Sequence, residues 1–433
     1  MEQHRERLPA PAGSAPAPSA PARSTPAPSA PARSAPARST PAVAATAAAP
    51  EPPATPALDG AGLAGPADPA ALAREGAGLA TLAPESSLTP QSSLAREGSD
   101  FAVLTRAIAA AGLLARRPGY YAARIGGVAV LYAAAWTVFA LLGHSWWQLL
   151  VAGVLGVLFA QVALVAHDIA HRQVFRLRGP SEAAGRIAGN LCVGMSYGWW
   201  QDKHTRHHAN PNHEDLDPDV SPDVLVWSRR QAVDARGAAR WIGGRQAYWF
   251  FPLLTLEGMN LHVAGVRALF RPVYRRRGLE AVLLGLHIAG YAAALLLVLN
   301  PLQALAFLAV HQAVFGVYLG CTFAPNHKGM PTLTGDERPD FLRRQVLTSR
   351  NVRGGPLVDV VLGGLNYQVE HHLFPSMPTP HLRRAQPIVK AHCARLGIAY
   401  TESGLLASYA EALRHLHRVG APLRVPRAAP TLS

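Results

Sequence analysis

The amino-acid sequence predicts an all-α integral membrane protein with four transmembrane helices. Three observations predict it. Four runs, at about 125–142, 147–169, 279–299 and 302–324, are almost wholly apolar, and each is close to the ~20 residues that cross a hydrocarbon core. The runs form two tight hairpins, whose connectors at Gly143–Trp147 and Asn300–Pro301 carry no Lys or Arg. Basic residues gather instead between the hairpins and after them.

Taken in order, residues 1–99 repeat a Pro/Ala/Ser/Arg theme (APSAPARSTPAPSAPARSAPARSTPA). Such chain lacks the large apolar residues that a core needs, so disorder is expected. Its start has no apolar stretch of the secretory type. A helical membrane domain is expected over 100–420, followed by a flexible C-terminus at 421–433. Within the domain, Trp146 and Trp147 mark an interfacial aromatic pair at the first hairpin turn. Ala183–Trp200 is apolar but carries Arg186 and Asn190, which fits an interfacial or re-entrant helix. Trp241–Phe270 mixes aromatic and apolar residues and also fits the interface.

The formal net charge is +14. Arg172, Arg176, Arg178, Arg186, Lys203 and Arg206 follow the second run, and Arg275, Arg276 and Arg277 precede the third. By the positive-inside rule, both termini and the long middle segment are cytosolic in this multi-pass protein. That placement accounts for much of the basic charge without nucleic acid, and no base-reading motif occurs. The three cysteines, Cys192, Cys321 and Cys393, form no CxxC pattern. Neither a disulfide framework nor a thiolate zinc site is suggested by that count.

The chemistry-bearing residues are histidines. AHDIAH places His167 and His171 at i and i+4, at the cytosolic end of the second run. KHTRHH places His204, His207 and His208 at i, i+3 and i+4. QVEHH repeats that spacing with Gln368, His371 and His372. On a helix each set faces one way. The topology puts all three sets on one side, and His327, after Asn326 at the end of the fourth run, joins them. Neutral imidazole is a common metal ligand. Eight imidazoles are too many for one ion and suit two. With no thiolates, a dinuclear iron centre fits best, with manganese or copper behind it. Asp168, Glu370, Asn326 and the aspartates of NHEDLDPDV are placed to orient the ligands, although a solvated turn explains those three aspartates about as well. His287 and His311 fall mid-run and read as packing or interhelical hydrogen-bond residues. His392, His415 and His417 read as surface residues. A metal transporter or haem electron carrier would place its ligands near mid-membrane on broken or acidic helices. Here the runs contain no acidic residue except Asp168 and Glu280, each near one end.

HDIAH, KHTRHH with its following NPN and DPD, and QVEHHLFPSMP resemble the three histidine boxes of membrane fatty acid desaturases. The glutamine-led third box is similar to that of front-end and linoleoyl-type acyl desaturases. The similarity covers about Ser99 to Val419. It implies four spans under a cytosolic helical cap that holds two iron ions, with O2 as co-substrate and two electrons used to introduce a double bond. It also implies a ligand set of His167, His171, His204, His207, His208, His371 and His372, with Gln368 in the first place of the third box and His327 as a further ligand. The implied substrate is a fatty acyl-CoA or acyl-lipid, with Lys203 or Arg206 meeting its head group. Many front-end members carry a fused cytochrome with an HPGG haem motif. That motif is not found here, so electrons are expected from a separate donor, a ferredoxin or a b-type cytochrome with its reductase. Two departures stand out. The first box has three residues between its histidines where many acyl-CoA desaturases have four. Gln368 stands where those relatives have a histidine, which implies a weaker or water-bridged ligand. A fatty acid or lipid hydroxylase, or another membrane di-iron oxygenase, is the nearest alternative.

Overall fold

The computed structural model describes residues 99–424 except 275 and 336. The expected tail at 1–99 falls outside that range but for Ser99, as does the expected C-terminal segment from residue 425 onward. The described chain is helical, and its four long apolar helices match the four expected spans. Ser99 caps α1 (Asp100–Ala110) through its Oγ. Next come α2 (Pro118–Leu142) and α3 (Gln148–Ala170), then α4 (Arg178–Arg186) running directly into a π-helical stretch (Ile187–Val193). They are followed by α5 (Tyr197–Ala209), α6 (Arg229–Asp234), α7 (Gly237–Gly244) and α8 (Gln246–Ala268). The second hairpin is α9 (Arg277–Val298) and α10 (Pro301–His327). Beyond it lie α11 (Phe341–Leu347), β1 (Asn351–Arg353), α12 (Pro356–Val361), α13 (Gln368–Leu373), α14 (Thr379–Arg395), β2 (Glu402–Gly404) and α15 (Leu405–Val419). An all-α reading omits one detail: β1 and β2 pair in parallel over three residues.

Helices α2, α3, α9 and α10 are long and apolar enough to cross a membrane. Both hairpin turns are pinned by polar caps. Gln148 Nε2 donates to the carbonyls of Phe139 (2.7 Å) and Gly143 (3.0 Å). Gly143 sits at φ +59°, ψ −139°, which its missing side chain permits. Asn300 caps α10 through Gln303 N (2.9 Å), with Pro301 at the first helical position.

The inner helices α3 and α10 are much more buried than α2 and α9. They touch where Gly156 lies against the His311 carbonyl and Phe315 N. On its other side α10 packs on α8, a 23-residue helix that does not read as a span. There Gly316 faces the Leu254 carbonyl and Gly258 N, and Gly320 faces the Leu254 side chain. Small residues let helix backbones approach in this way inside a membrane.

The apolar segment at 183–200 folds as the end of α4, the π-stretch and the start of α5. A π-helix breaks the regular hydrogen-bond ladder, and side chains from three helices cover the carbonyls at its end. Tyr132 Oη donates to Cys192 O (3.0 Å), His287 Nδ1 lies 2.8 Å from Leu191 O, and His262 Nδ1 lies 2.7 Å from Gly194 O. Glu280 is buried and accepts from Ser196 Oγ (2.6 Å), Gly198 N (3.0 Å), Asn190 Nδ2 and Arg186 Nε. Its charge is thus paired and hydrogen-bonded, the condition for a carboxylate to stay buried. The contact ties the start of α5, the helix that bears the second histidine set, to α9. His311 lies beside Tyr291 Oη (3.0 Å). His392, expected at the surface, is buried against Asp100 O (2.9 Å) because α14 packs on α1.

The α8–α10 crossing leaves no room for a side chain at position 316, where an added Cβ would lie 2.4 Å from a backbone oxygen and 2.6 Å from a backbone nitrogen. Gly316→Ala is therefore expected to destabilise the protein by roughly 1–3 kcal/mol. Gly290→Ala on α9, with open space around it, should be neutral or stabilising by up to ~1 kcal/mol. Thermal unfolding in detergent reads both, and equal shifts would contradict the close crossing.

Candidate metal centre

Four elements bring the histidines together at one end of the spans. The last turn of α3 presents His167, with His171 as its C-cap. Ser196, whose Oγ accepts from Trp199 N (3.2 Å), starts α5 so that His204, His207 and His208 lie in its final turns. His327 ends α10. There a buried Arg350 covers the terminal carbonyls, donating to Pro325 O and Lys328 O, and pairs with Glu411. These are the carbonyls that a helix end leaves without intrahelical partners. The short helix α13, buried throughout, presents Gln368, His371 and His372.

The imidazoles form two groups. Ligand nitrogens of His167, His171, His204, His208 and His371 all lie within 4.8 Å of one another, as do those of His207, His327 and His372. In the first group bare edges face each other. His204 Nε2 is 2.8 Å from His171 Nε2 and 3.1 Å from His208 Nε2, and His208 Nε2 is 3.2 Å from His371 Nε2. In the second, Gln368 Nε2 is 3.0 Å from His327 Nε2. Which amide atom faces inward follows from rotation of the terminal amide.

The outer nitrogens of four rings account for their orientation. His207 Nδ1 lies 3.0 Å from both Asp217 oxygens, His372 Nδ1 2.9 Å from Gln345 Oε1, and His327 Nδ1 3.0 Å from Thr348 O. His167 Nδ1 is 3.5 Å from Asp168 Oδ1. An acceptor at Nδ1 selects the tautomer with its proton there and leaves Nε2 as a bare lone pair. His167 Nε2 and His372 Nε2 are buried without a protein partner, a costly arrangement unless a further group binds them. Converging, unprotonated nitrogen donors of this kind fit two metal ions, with imidazole suited to iron, copper or zinc.

Electrostatics agree with that donor set. Burial, helped by neighbouring imidazoles, holds His171, His204, His208, His371 and His372 well below the ordinary histidine range, so they stay neutral. His207 goes the other way. Burial lowers it, but the carboxylates of Asp217 and Asp219 more than compensate and raise it. Trp200 stacks on His204 at 4.5 Å and covers one side of the cluster.

The other sequence-selected residues separate clearly. Asp168 lies beside His167 and also accepts from Thr379 Oγ1 (3.2 Å). Asn326 Nδ2 donates to Thr322 O and lies 3.3 Å from Gln368 Oε1, so it touches the glutamine rather than a ring. Glu370 contacts no imidazole, contrary to the role given it above. It points to the opposite face of α13 and accepts from Asn351 Nδ2 (2.7 Å) and Tyr400 Oη (2.6 Å). Burial pushes its carboxyl up to about 7 against the pull of those two bonds. Lys203 pairs with Asp219 at 2.5 Å, and Arg206 pairs with Asp202 on the exposed side of α5. Of the three aspartates, Asp217 is buried at His207, Asp219 pairs with Lys203, and Asp215 pairs with Arg230. Gln345, the Thr348 carbonyl and Trp200 went unnoticed in the sequence. Nothing near Gln345 and Thr348 marks them, whereas Trp200, one turn before His204, could have been found by helical spacing.

A cavity of about 750 Å³ opens against His167, His204, His207, His327 and Gln368. Its walls near the rings are apolar, with Ala163, Met195, Leu254, Leu261, Leu319 and Phe323 among them. A cavity of this size falls in the range of small-molecule sites.

Comparison with known proteins points the same way. The fatty acid desaturase family model matches residues 144–404. An acyl-lipid (9-3)-desaturase of Physcomitrium patens is 29% identical over 272 residues, 60% of this chain and 51% of that protein. A fatty acid desaturase 3 of Bos taurus is 30% identical over 352 residues, 78% of this chain and 77% of the relative. A Delta(8)-fatty-acid desaturase of Helianthus annuus is 27% identical over 60% of this chain and 59% of that protein. The chain thus spans only about half of the Physcomitrium patens relative and most of the Bos taurus one. The family match covers more than half of the chain and includes all three histidine sets and His327, and the chain belongs to the fatty acid desaturase family.

Proposed function

We propose that this chain is an O2-dependent fatty acyl desaturase whose two imidazole groups hold iron. The observation that carries the reading is the pair of inward-facing nitrogen sets beside an apolar cavity, together with the desaturase names of its relatives. Iron bound there would supply the redox chemistry that side chains lack. One acyl methylene pair, one O2, two electrons and two protons give one double bond and two waters.

The chain's own residues do the rest. His167, His171, His204, His208 and His371 are the proposed ligands of one ion, and His207, His327, His372 and Gln368 of the other. Asp217, Gln345, Asp168 and the Thr348 carbonyl keep the rings turned inward through Nδ1. Asn326 holds Gln368 in place. The apolar wall between Ala163 and Phe323 lays the acyl chain along the ring edges and keeps water from them. The electrons come from a separate donor, a ferredoxin or a b-type cytochrome with its reductase. Both termini and the histidine face are cytosolic, a reading supported by the absence of Lys and Arg from both hairpin turns and their abundance in the middle segment.

Two measurements test this. The purified chain should bind about two iron ions, one for each imidazole group. His208→Ala in the first group and His327→Ala in the second should each lower that content toward one, read by metal analysis. Fatty acid profiling of cells that express the chain with a reducing donor should show an acid lighter by two hydrogens. That product should vanish in His371→Ala and His372→Ala, since ligand loss removes the metal-borne chemistry. A product heavier by one oxygen would replace the desaturase reading with a hydroxylase.

A further inference from the structure

The far end of the cavity bears on which molecule carries the acyl chain. From the rings it runs to a rim formed by the exposed loop Ser221, Pro222, Asp223 and Val224 and by Leu256 and Asn260 of α8. Two properties of this rim matter.

The first is its charge. The charged side chains lining the cavity, histidines aside, are Lys203, Lys328, Asp219, Asp223 and Glu257. Both ammonium groups are already engaged. Lys203 pairs with Asp219 (2.5 Å), while Lys328 donates to the Asp219 carbonyl (3.0 Å) and lies 4.0 Å from the centre of the Trp227 ring. Asp223 and Glu257 form no ion pair among the described residues, and Glu257 accepts only from Asn260 (3.1 Å). Burial raises the Glu257 carboxyl. Even with that group protonated, negative charges at least match positive ones along the lining. No arginine lines the cavity among the described residues. Recognition of several phosphates calls for guanidinium forks or uncommitted lysines, and the rim offers neither. Arg206, a head-group candidate from the sequence, is held by Asp202 and does not line the cavity.

The second is its surroundings. Phe250 of α8 packs with Ala324, Leu254 lies on Gly320, and Gly258 lies on Gly316, so α8 follows the histidine-side half of the α10 span. At that depth its outer face is apolar and open. Leu256 is 61% exposed and Met259 40%, and across the rim Val224 is 39% exposed. Exposed apolar side chains beside a membrane span are suited to contact with lipid. The cavity mouth is bordered by Leu256 and Val224 among these exposed apolar side chains, as well as by Asp223 and Asn260.

We propose that the acyl chain enters through this lateral mouth while esterified to a membrane lipid with a neutral or zwitterionic head group, and that acyl-CoA is a poor substrate. The inference rests on the desaturase reading above and names its substrate class. An acyl-CoA would bring several negative charges to a rim whose free side chains are acidic, and like charges disfavour such a complex. A lipid leaves its head group at the interface and needs only the apolar passage.

The test uses the full chain, loaded with iron and supplied with a reduced donor. One arm offers vesicles of phosphatidylcholine with isotope-labelled oleoyl and linoleoyl chains and no CoA. The other offers the same labelled chains as acyl-CoA in ether-linked phosphatidylcholine vesicles without acyltransferase. Labelled double bonds should form in the lipid arm at least about tenfold faster. Asp223→Lys should raise the ratio of CoA-derived to lipid-derived product by about tenfold, because it turns a repulsive charge into an attractive one. Equal or faster turnover of acyl-CoA by the unaltered chain overturns the carrier assignment and leaves the desaturase reading intact. Turnover in neither arm, with iron bound and donor oxidised, defeats the desaturase reading and the carrier assignment together.

Discussion

A cluster of eight imidazoles, six buried and two half-buried, is unstable as a set of free side chains, and much of the described structure serves to hold it. Bare nitrogens that face one another lose their water and gain no donor. The arrangement needs each ring locked from behind, and it needs an occupant in front. Asp217, Gln345, Asp168 and the Thr348 carbonyl supply the first condition for four of the rings, those of His207, His372, His167 and His327. They come from segments far apart in the chain, which is why the site needs the whole domain rather than one motif. Burial works in the same direction, because it suppresses protonation of the rings and keeps their lone pairs available.

The membrane helices act as a rigid frame for that lock. The buried pair α3 and α10 meet at Gly156, and α8 closes on α10 at Gly258, Gly316 and Gly320. The π-helical stretch would be a weak point, with carbonyls freed from the regular ladder. Tyr132, His262 and His287 cover those carbonyls from three helices, and Glu280 clamps the start of α5. His287, which sequence reading assigned to packing or interhelical bonding, thus contributes to holding the histidine helix in place. The aromatic helix α8 has a double duty. One face packs on a span, and another borders the cavity.

For the proposed acyl substrate, the cavity is a one-sided route. The passage is apolar beside the rings, carries a balanced or acidic set of charges at its rim, and opens beside exposed leucine, methionine and valine side chains. The proposed route from the bilayer needs no strong head-group anchor, since the membrane already orients and concentrates a lipid. The committed state of Lys203 and Lys328 fits that economy of charge.

The sequence by itself determined the four apolar helices, their hairpin order and the three histidine sets, because both signals are local. Helix length follows from an unbroken apolar run, and a shared face follows from i, i+3, i+4 spacing. Asp168 could be chosen for the same reason, one residue from His167. Only the tertiary structure decided how the eight rings divide, since His171 meets His204, and His208 meets His371, across separations of 33 and 163 residues. It decided that Asp217, not Glu370, orients a ring, because a loop fold buried one aspartate of three and a single helix turn sent Glu370 to the opposite face toward Tyr400. Gln345 and the Thr348 carbonyl were beyond the reach of any pattern, because a hydrogen bond to a distant ring leaves no trace in local spacing. The cavity rim belongs to the same class. Its character depends on which charges pair with each other, and pairing is settled only when the helices pack.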